Sequence, residues 1–247
     1  MENIEKVNNA KLMPINAILN KYGISDDYII NYGKYIAKID IDNLKNIKTG
    51  KLILVTSISP TIYGEGKTTT AIGLVDALNK LDKNAVAILR EPALGPVFGT
   101  KGGATGGGCA KVIPSDDINL HFTGDMSAIC TANNLLCAII DNHIFQGNEL
   151  KIKKVVLPRT IDINDRALRN ITINSSYNRE DHFILTVASE LMACVCLAND
   201  FKELKEMVAN MIVAYNDTGK PIYTKDLQAV EAVCILLKET IKPNVVQ

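Results

Sequence analysis

The sequence predicts an α/β protein with a doubly wound, mostly parallel sheet. Short apolar runs rich in branched side chains alternate with segments of helical periodicity, and no repeat or low-complexity linker interrupts them. Residues 51–57 and 84–90 read as two buried strands with a loop and a helix between them, which is how an α/β unit begins. Residues 1–48 read as short helices. We therefore expect an N-terminal helical segment at 1–48 and a nucleotide-binding domain at 49–247.

The remaining elements follow in the same alternation. Ser189 is a plausible cap for a helix that begins immediately after it. In chain order we predict a helix over 131–144, a strand at 154–157, a helix opening at Asn164 or Asp165, a strand at 182–188, the helix capped by Ser189, a strand at 211–215, a turn at 218–221 and a last helix from about 224 to 240.

Composition excludes several classes of protein. The 247 residues include 27 Lys and Arg against 27 Asp and Glu, so no overall charge favours nucleic acid or a membrane surface. No segment reaches the roughly 18 apolar residues of a membrane span, and the first residues lack a secretory apolar run. Six cysteines form no C-x-x-C pair, which is typical of buried thiols in a reducing compartment. We expect a cytoplasmic protein.

A glycine-containing loop lies between the first predicted strand and its helix. Gly66-Lys67-Thr68 at a helix start, directly after an apolar strand, is the core of a phosphate-binding loop. Glycines let several N–H groups face one phosphate, the lysine adds a mobile cation, and the Thr68 hydroxyl can hold Mg²⁺. The fold is then of P-loop NTPase type. We predict that ATP is bound by Thr61, Ile62, Tyr63, Gly64, Glu65, Gly66, Lys67, Thr68 and Thr69.

The loop has two other interpretations. Thr61 stands where the standard pattern has a glycine, so an ordinary strand–turn–helix connection is the alternative to ATP binding. Ile62 stands where partition-type switch ATPases carry a signature lysine. This departure argues against a switch ATPase that moves a partner.

The loop in its wider context resembles one family. Residues 57–99, the glycine-rich stretch 100–125 and the segment Val187–Ala193 are similar, in order, to formate–tetrahydrofolate ligases. The resemblance runs from about residue 5 to the last residue. Departures from the family pattern occur at Ile62 and Tyr63 in the phosphate loop and at Thr100, Thr105 and Cys109 in the glycine-rich stretch.

The resemblance implies an ATP-dependent ligase of one-carbon metabolism. Formate attacks the γ-phosphate to give formyl phosphate and ADP, and tetrahydrofolate then accepts the formyl group to give 10-formyltetrahydrofolate and phosphate. Lys67 and Arg90 are the implied catalytic cations. The formyl phosphate set is Arg90, Glu91, Lys101, Gly102, Gly103, Gly106 and Gly107. The alternatives are a surface arginine at a strand end and a mobile glycine-rich loop.

Several other polar residues are candidates for a functional or a structural role. His121 and Asp125, four apart, are candidates for a proton relay or a folate contact, although a lone histidine is more often structural. Asp116 and Asp117 read as a turn or helix start rather than a metal site. The basic cluster Lys151, Lys153 and Lys154 reads as a solvated face, with an anionic polyglutamate tail as the alternative.

Cofactors and partners follow from the resemblance. These are ATP with Mg²⁺, formate, and tetrahydrofolate, in free or polyglutamylated form; activation by a monovalent cation stays open. Family members are roughly twice as long as this chain. Alternatives to a ligase are therefore a truncated ATP-binding module without ligase activity, or half of a split enzyme with a complementing C-terminal chain. A homo-oligomer is also expected from the family.

Overall fold

The structure is a computed structural model that describes residues 10–41, 50–59, 61, 64–99, 103–174 and 178–247. Two compact units divide the chain. Unit 1 comprises Met1–Thr123 together with Lys242–Gln247, and unit 2 comprises Gly124–Ile241. Each unit has its own elements and its own packing.

The described part of unit 1 begins with a helix and a hairpin. Helix α1 (Ile15–Lys21) buries Ile15 and Leu19, and a 3₁₀ turn at Asp26–Tyr28 leads into strands β1 (Ile29–Asn31) and β2 (Ala37–Ile39). These strands pair antiparallel, and β12 (Asn244–Val245) joins β2 on its other side.

The all-helical prediction for residues 1–48 is therefore wrong over 29–39. Gly33, with φ +80°, allows the chain to reverse there, and the Tyr32 N–H donates to the carbonyl oxygen of Ile36 at 2.9 Å. The parts of that prediction that cover 1–9 and 42–48 lie outside the described residues.

Helix α2 (Lys67–Lys80) follows the predicted phosphate loop, as expected. The two flanking segments, 51–57 and 84–90, form no strand, which corrects the strand predictions made for them. Leu52, Leu54 and Ile88 are 82–90% exposed. An apolar parallel strand is stable only between hydrogen-bonded neighbours and under covering helices, and the described part of the chain supplies neither to these segments.

The glycine-rich stretch folds back on α2. After the short helix α3 (Leu94–Val97), strands β3 (Gly106–Gly107) and β4 (Ala110–Lys111) form a small antiparallel hairpin. Helix α4 (Ser115–Asn119) comes next, with Asp116 and Asp117 in its first turn, so the predicted helix start is confirmed. Acidic side chains are favourable there because they face the positive end of the helix.

Unit 2 is built around one long helix, α5 (Asp125–Phe145), which covers the predicted helix over 131–144. Strands β5 (Ile152–Val155), β10 (Ile212–Asn216) and β11 (Pro221–Tyr223) form an antiparallel sheet in the order β11-β10-β5. Buried Leu136, Val213 and Leu204 belong to one hydrophobic core. That core also receives α6 (Glu190–Leu197), α7 (Phe201–Ala209) and α8 (Val230–Leu236), the last preceded by a 3₁₀ turn at Thr224–Leu227.

A second group of strands in unit 2 contains a parallel pair. Strand β6 (Arg159–Ile161) runs parallel to β9 (Phe183–Leu185), and β7 (Ile171–Asn174) pairs antiparallel with β8 (Asn178–Asp181). The predicted helix from Asn164 or Asp165 is only a 3₁₀ turn at Ala167–Arg169. The predicted strand at 182–188 ends at Leu185 and continues as a 3₁₀ turn at Thr186–Ala188.

The cap predicted at Ser189 is confirmed. Its hydroxyl oxygen accepts a hydrogen bond from the Met192 N–H at 3.1 Å and so satisfies one of the open donors of α6. The same hydroxyl donates to the carbonyl oxygen of Thr186 at 2.7 Å. This double contact fixes the point where the 3₁₀ turn becomes an α-helix.

The fold is a mixed α/β structure with several small sheets. Of the strand pairs that the described residues form, β6–β9 is parallel and the others are antiparallel. The doubly wound, mostly parallel sheet therefore stays a prediction. No helix within the described ranges is long and apolar enough to cross a membrane.

The cysteines divide by environment. Cys137, Cys194 and Cys234 are buried, as predicted, and burial raises the pKa of Cys137 to about 12 and of the other two to about 11. Cys130 is half-buried, and Cys109 and Cys196 are exposed, contrary to that prediction. The glycine-rich hairpin brings Cys109 to its tip, and Cys196 lies in the last turn of α6 away from the core.

Candidate functional site

The predicted phosphate loop leads into α2 through two left-handed glycines. Gly64 has φ +81° and Gly66, the residue before the helix, has φ +71°, a conformation that glycine adopts without strain. Lys67 is the first residue of the helix, and the Thr70 N–H donates to the Gly66 carbonyl oxygen at 2.9 Å. The N–H groups of the first turn therefore remain available to an anion, at the positive end of the helix.

The Lys67 ammonium is held by its own loop. Its Nζ lies 2.7 Å from Glu65 Oε2 and 3.1 Å from Ser57 Oγ. The Glu65 carboxylate also accepts a hydrogen bond from the Thr61 N–H. The Lys67 hydrogen bond, and then that of Thr61, lower the pKa of Glu65 to about 2. The carboxylate is therefore ionised at neutral pH and neutralises the lysine. Ile62 and Tyr63 lie outside the described residues.

The glycine-rich hairpin is seated on the side of α2. A Cβ on Gly106 would overlap the Ala110 carbonyl oxygen and come within 2.8 Å of Ile72 Cδ1, so only glycine fits between hairpin and helix. A Cβ on Gly107 would lie 3.3 Å from the Thr69 hydroxyl. Thr69 belongs to the first turn of α2. The structure therefore brings together the predicted phosphate loop and part of the predicted formyl phosphate loop, which sequence spacing alone did not establish.

Asn119 anchors the start of the glycine-rich hairpin and was missed from sequence. Its Oδ1 accepts from the Ala104 N–H at 3.0 Å, and its Nδ2 lies 3.4 Å from the Thr105 hydroxyl. A Cβ on Gly103 would come within 2.6 Å of the same amide. No motif marks an asparagine at the end of a short helix as such an anchor. Lys101 and Gly102 lie outside the described residues.

Arg90 and Glu91 have different surroundings. Arg90 is exposed, and its guanidinium forms no ion pair with any described residue. Glu91 Oε2 accepts from Asn244 Nδ2 at 3.0 Å, and Asn244 Oδ1 accepts from the Thr123 hydroxyl at 2.7 Å. This chain of hydrogen bonds ties the residue after Arg90 to β12 and so fixes the backbone on one side of the arginine.

The proposed relay pair falls in different units. His121 is exposed in the turn after α4, next to Phe122, which has φ +46°. Asp125 is buried in the first turn of α5, in unit 2. Their pairing stays a prediction. Lys151, Lys153 and Lys154 are exposed, as expected of a solvated face.

The metal ion expected at this site is Mg²⁺ that binds together with a nucleotide. No group of three His, Cys, Asp or Glu side chains is gathered for a metal ion among the residues with described positions. Mg²⁺ bound with a nucleotide takes most of its ligands from phosphate oxygens and water, so one hydroxyl suffices on the protein side. The half-buried Thr68, one residue after Lys67, fits that requirement.

Fold and site together define a class: a mixed α/β protein with a glycine-flanked, lysine-bearing helix start of the kind that binds phosphate groups. Comparison with known proteins narrows the class. The family model described as formate–tetrahydrofolate ligase matches residues 1–247, and the chain belongs to that family.

Two curated relatives illustrate the match. The formate–tetrahydrofolate ligase of Caldicellulosiruptor saccharolyticus is 55% identical over 257 aligned positions, which cover 100% of this chain and 46% of the relative. The protein of the same name from Pediococcus pentosaceus is 55% identical over 255 positions, with the same two shares. The chain thus spans about half the length of the curated relatives it matches.

Proposed function

We propose that this chain supplies the ATP- and formate-activating part of a formate–tetrahydrofolate ligase. The observation that carries the proposal is the seating of the glycine-rich hairpin on α2, the helix that begins with Lys67. Two segments suited to phosphate binding then lie side by side. The proposed reaction is that of the family. The packing of the hairpin on α2 supports the proposal that formyl phosphate forms at the start of this helix.

The proposed first step joins two anions. A formate oxygen forms a bond to the γ-phosphorus of ATP while the bond from that phosphorus to the leaving oxygen of ADP breaks, giving formyl phosphate. Lys67 and the N–H groups of the first turn of α2 stabilise the charge on the transferring phosphoryl group. Arg90, exposed and without an ion pair among described residues, is positioned by its neighbour Glu91 to offer a planar fork to formyl phosphate.

The proposed second step is a formyl transfer. The N10 amine of tetrahydrofolate attacks the formyl carbon, the carbon–oxygen bond to phosphate breaks, and a proton leaves the nitrogen. His121 and Asp125 are the proposed groups for that proton or for folate contact. The backbone N–H groups near Gly106 and Gly107 are proposed to hold the phosphate as it leaves.

A partner chain is part of the proposal. Apolar side chains are exposed in both segments that flank α2, among them Leu54 and Ile88. We propose that segments 51–57 and 84–90 become strands of a P-loop-type sheet when a chain corresponding to the family's remaining length covers them. The assembled protein is proposed to be cytoplasmic and to form homo-oligomers, which sedimentation of the reconstituted complex would test.

The test is product formation. The purified chain is mixed with ATP, Mg²⁺, formate and tetrahydrofolate, alone and with a fragment covering the remaining length of the Caldicellulosiruptor relative, and 10-formyltetrahydrofolate is measured. Lys67→Ala should lower the rate at least 100-fold, because the variant loses the cation next to the transferred phosphoryl group. Lys80→Ala, at the other end of the same helix, should leave the rate within twofold of the unmodified chain.

Each result points to one alternative. Product from the chain alone would show that 247 residues suffice. Product only with the added fragment would support the split enzyme. ATP protection against heat without product in either mixture would indicate a truncated ATP-binding module. ATP hydrolysis that does not depend on formate would contradict the ligase proposal.

A further inference from the structure

We propose a second ligand site in unit 2: a cavity at the carboxyl ends of the parallel strands β6 and β9 that binds a small aromatic carboxylate, with Arg169 as the partner of its carboxylate group. This inference goes beyond the proposed ligase reaction, to which no residue of the cavity was assigned.

The position of the cavity follows from the strand pairing. Ile161 pairs with Leu185 at the end of the two parallel strands. The chain leaves β6 through the loop 162–165 and leaves β9 through the 3₁₀ turn at Thr186–Ala188. Because the strands are parallel, both segments leave the pair at the same end, which in α/β sheets is the end where ligands bind. A cavity of about 300 Å³ lies there, at the lower end of the range for small-molecule sites.

The walls of the cavity are mainly apolar. Ile161, Phe183 and Leu185 contribute from the two strands, and Ile163 contributes from the loop. Phe183 and Leu185 are two residues apart and therefore lie on the same face of β9. Ile163 is 55% exposed although it is a large apolar residue. A ligand with a flat apolar body would cover this side chain and the face of Phe183.

Arg169 supplies the positive charge in the lining of the cavity. Arg169 lines the cavity, and its guanidinium forms no ion pair or side-chain hydrogen bond with any described residue. Asp165 also lines the cavity, and its Oδ1 accepts a hydrogen bond from the Ala167 N–H at 2.9 Å. That bond starts the 3₁₀ turn that carries Arg169. A guanidinium prefers the two oxygens of a carboxylate, so the complementary ligand is an aromatic acid.

The experiment uses 2-naphthoate as the probe and the full chain as the protein. The chain contains no tryptophan, so naphthoate fluorescence is measured without an indole background. We expect saturable binding at one site per chain. The uncharged 2-naphthamide should bind about tenfold more weakly, because it keeps the ring but loses the charge-assisted contact.

Three variants locate the site. Arg169→Gln should raise the Kd for naphthoate about tenfold, whereas the matched control Arg166→Gln, three residues earlier, exposed and outside the cavity, should change it less than twofold. Ile163→Asp places a negative charge on an already exposed wall residue and should weaken binding more than tenfold. Because all three positions are exposed, none of these changes is expected to prevent folding.

Several results would overturn the proposal. These are the absence of saturable naphthoate binding, equal binding of naphthoate and naphthamide, or equal effects of the Arg169 and Arg166 substitutions. Lys67→Ala should bind naphthoate normally. Weaker binding by that variant would place the probe at the phosphate loop instead. The ligase assay is independent of this titration, so failure of one does not imply failure of the other.

Discussion

Glu65 and Lys67 stand two residues apart and neutralise each other within the phosphate loop. A triphosphate that binds here must replace Glu65 as the partner of the Lys67 ammonium, and it is repelled by the neighbouring carboxylate. The Lys67 ammonium of the pair is exposed to solvent, so salt screens the interaction. Its effect is therefore expected in nucleotide affinity more than in the stability of the fold.

Glu65→Gln should lower the Kd for ATP about threefold at low salt, because the substitution removes a negative charge beside the triphosphate and releases Lys67. The difference should vanish in concentrated salt. Fluorescent-nucleotide titration measures both. Asp76→Asn, exposed on the same helix, is the control for a general loss of charge. Weaker binding by Glu65→Gln would mean that the carboxylate holds Lys67 in its productive position.

The pKa of Glu65 also fixes a pH window. Because the folded pKa, about 2, lies below the ordinary value of 4.5, the ion pair stabilises the folded loop above pH 4.5. This stabilisation is lost as the pH falls from 4.5 toward 2. ATP affinity should therefore show no Glu65-dependent change between pH 5 and 8, and a nucleotide titration over that range in the Gln variant checks this expectation.

Gly106 offers a second residue-level prediction. Gly106→Ala should destabilise unit 1 by about 3 kcal/mol, because the new Cβ overlaps the Ala110 carbonyl oxygen and the backbone has φ +97°. Gly108→Ala, with φ +60° but open space around it, should cost only about 1 kcal/mol. Urea denaturation compares the two variants. Equal losses would show that backbone conformation, and not the fit against α2, decides the role of Gly106.

At the scale of elements, a four-member charge network ties a hairpin to the central helix of unit 2. Arg159 on β6 lies 2.6 Å from Asp141 on α5, and Arg179 on β8 lies 3.0 Å from the same carboxylate. Asp181 on β8 contacts both arginines, at 3.4 and 2.8 Å. All four side chains are at most 21% exposed. The two charges of each sign balance, so the network holds β8 against α5 without a net field.

Asp141→Asn should therefore destabilise unit 2 by about 2 kcal/mol, since it leaves two partly buried arginines sharing one carboxylate. Hydrogen exchange of the β7–β8 amides should accelerate more than exchange in the β5–β10–β11 sheet. Lys202→Gln breaks an exposed pair 4.0 Å apart on α7 and should cost under about 0.5 kcal/mol. Similar losses in both variants would contradict a structural role for the network.

The elements also show what sequence could and could not predict. The cap at Ser189 and the acidic start of α4 depend on neighbouring residues alone, and both were predicted correctly. The strands predicted at 51–57 and 84–90 are wrong because a strand depends on a partner strand, which no local pattern reveals. Asn119 was missed for the same reason: its contacts are with residues 14 and 15 positions earlier in the chain.

At the scale of the whole molecule, segments 51–57 and 84–90, which precede and follow α2 in the chain, expose apolar side chains. This exposure predicts association with another chain. Mixing the chain with the remaining part of a relative at 100 times the Kd should raise its melting temperature by about 5 to 10 °C. Alone, the chain should melt below a complete relative. A double substitution, Leu54→Lys with Ile88→Lys, should abolish the rise, and Leu197→Lys, 69% exposed in unit 2, should not.

An unchanged melting temperature in the mixture would argue against the partner chain. A rise that survives the double substitution would place the contact elsewhere on the chain. Calorimetry measures these outcomes on the same samples, and the two lysine-bearing variants are first compared with the unmodified chain by circular dichroism to confirm that each is folded.

The β1–β2–β12 sheet has a consequence for synthesis on the ribosome. Lys38 is fully buried, and its Nζ donates to the Lys242 carbonyl oxygen, 204 residues further along the chain, at 3.1 Å. At ordinary translation rates the N-terminal hairpin waits roughly 10 to 40 s for that strand. During this interval β2 presents an open edge to the nascent chain and its surroundings, and all of unit 2 is synthesised. A strand that is made after all of unit 2 therefore closes the edge of a hairpin that was made before it.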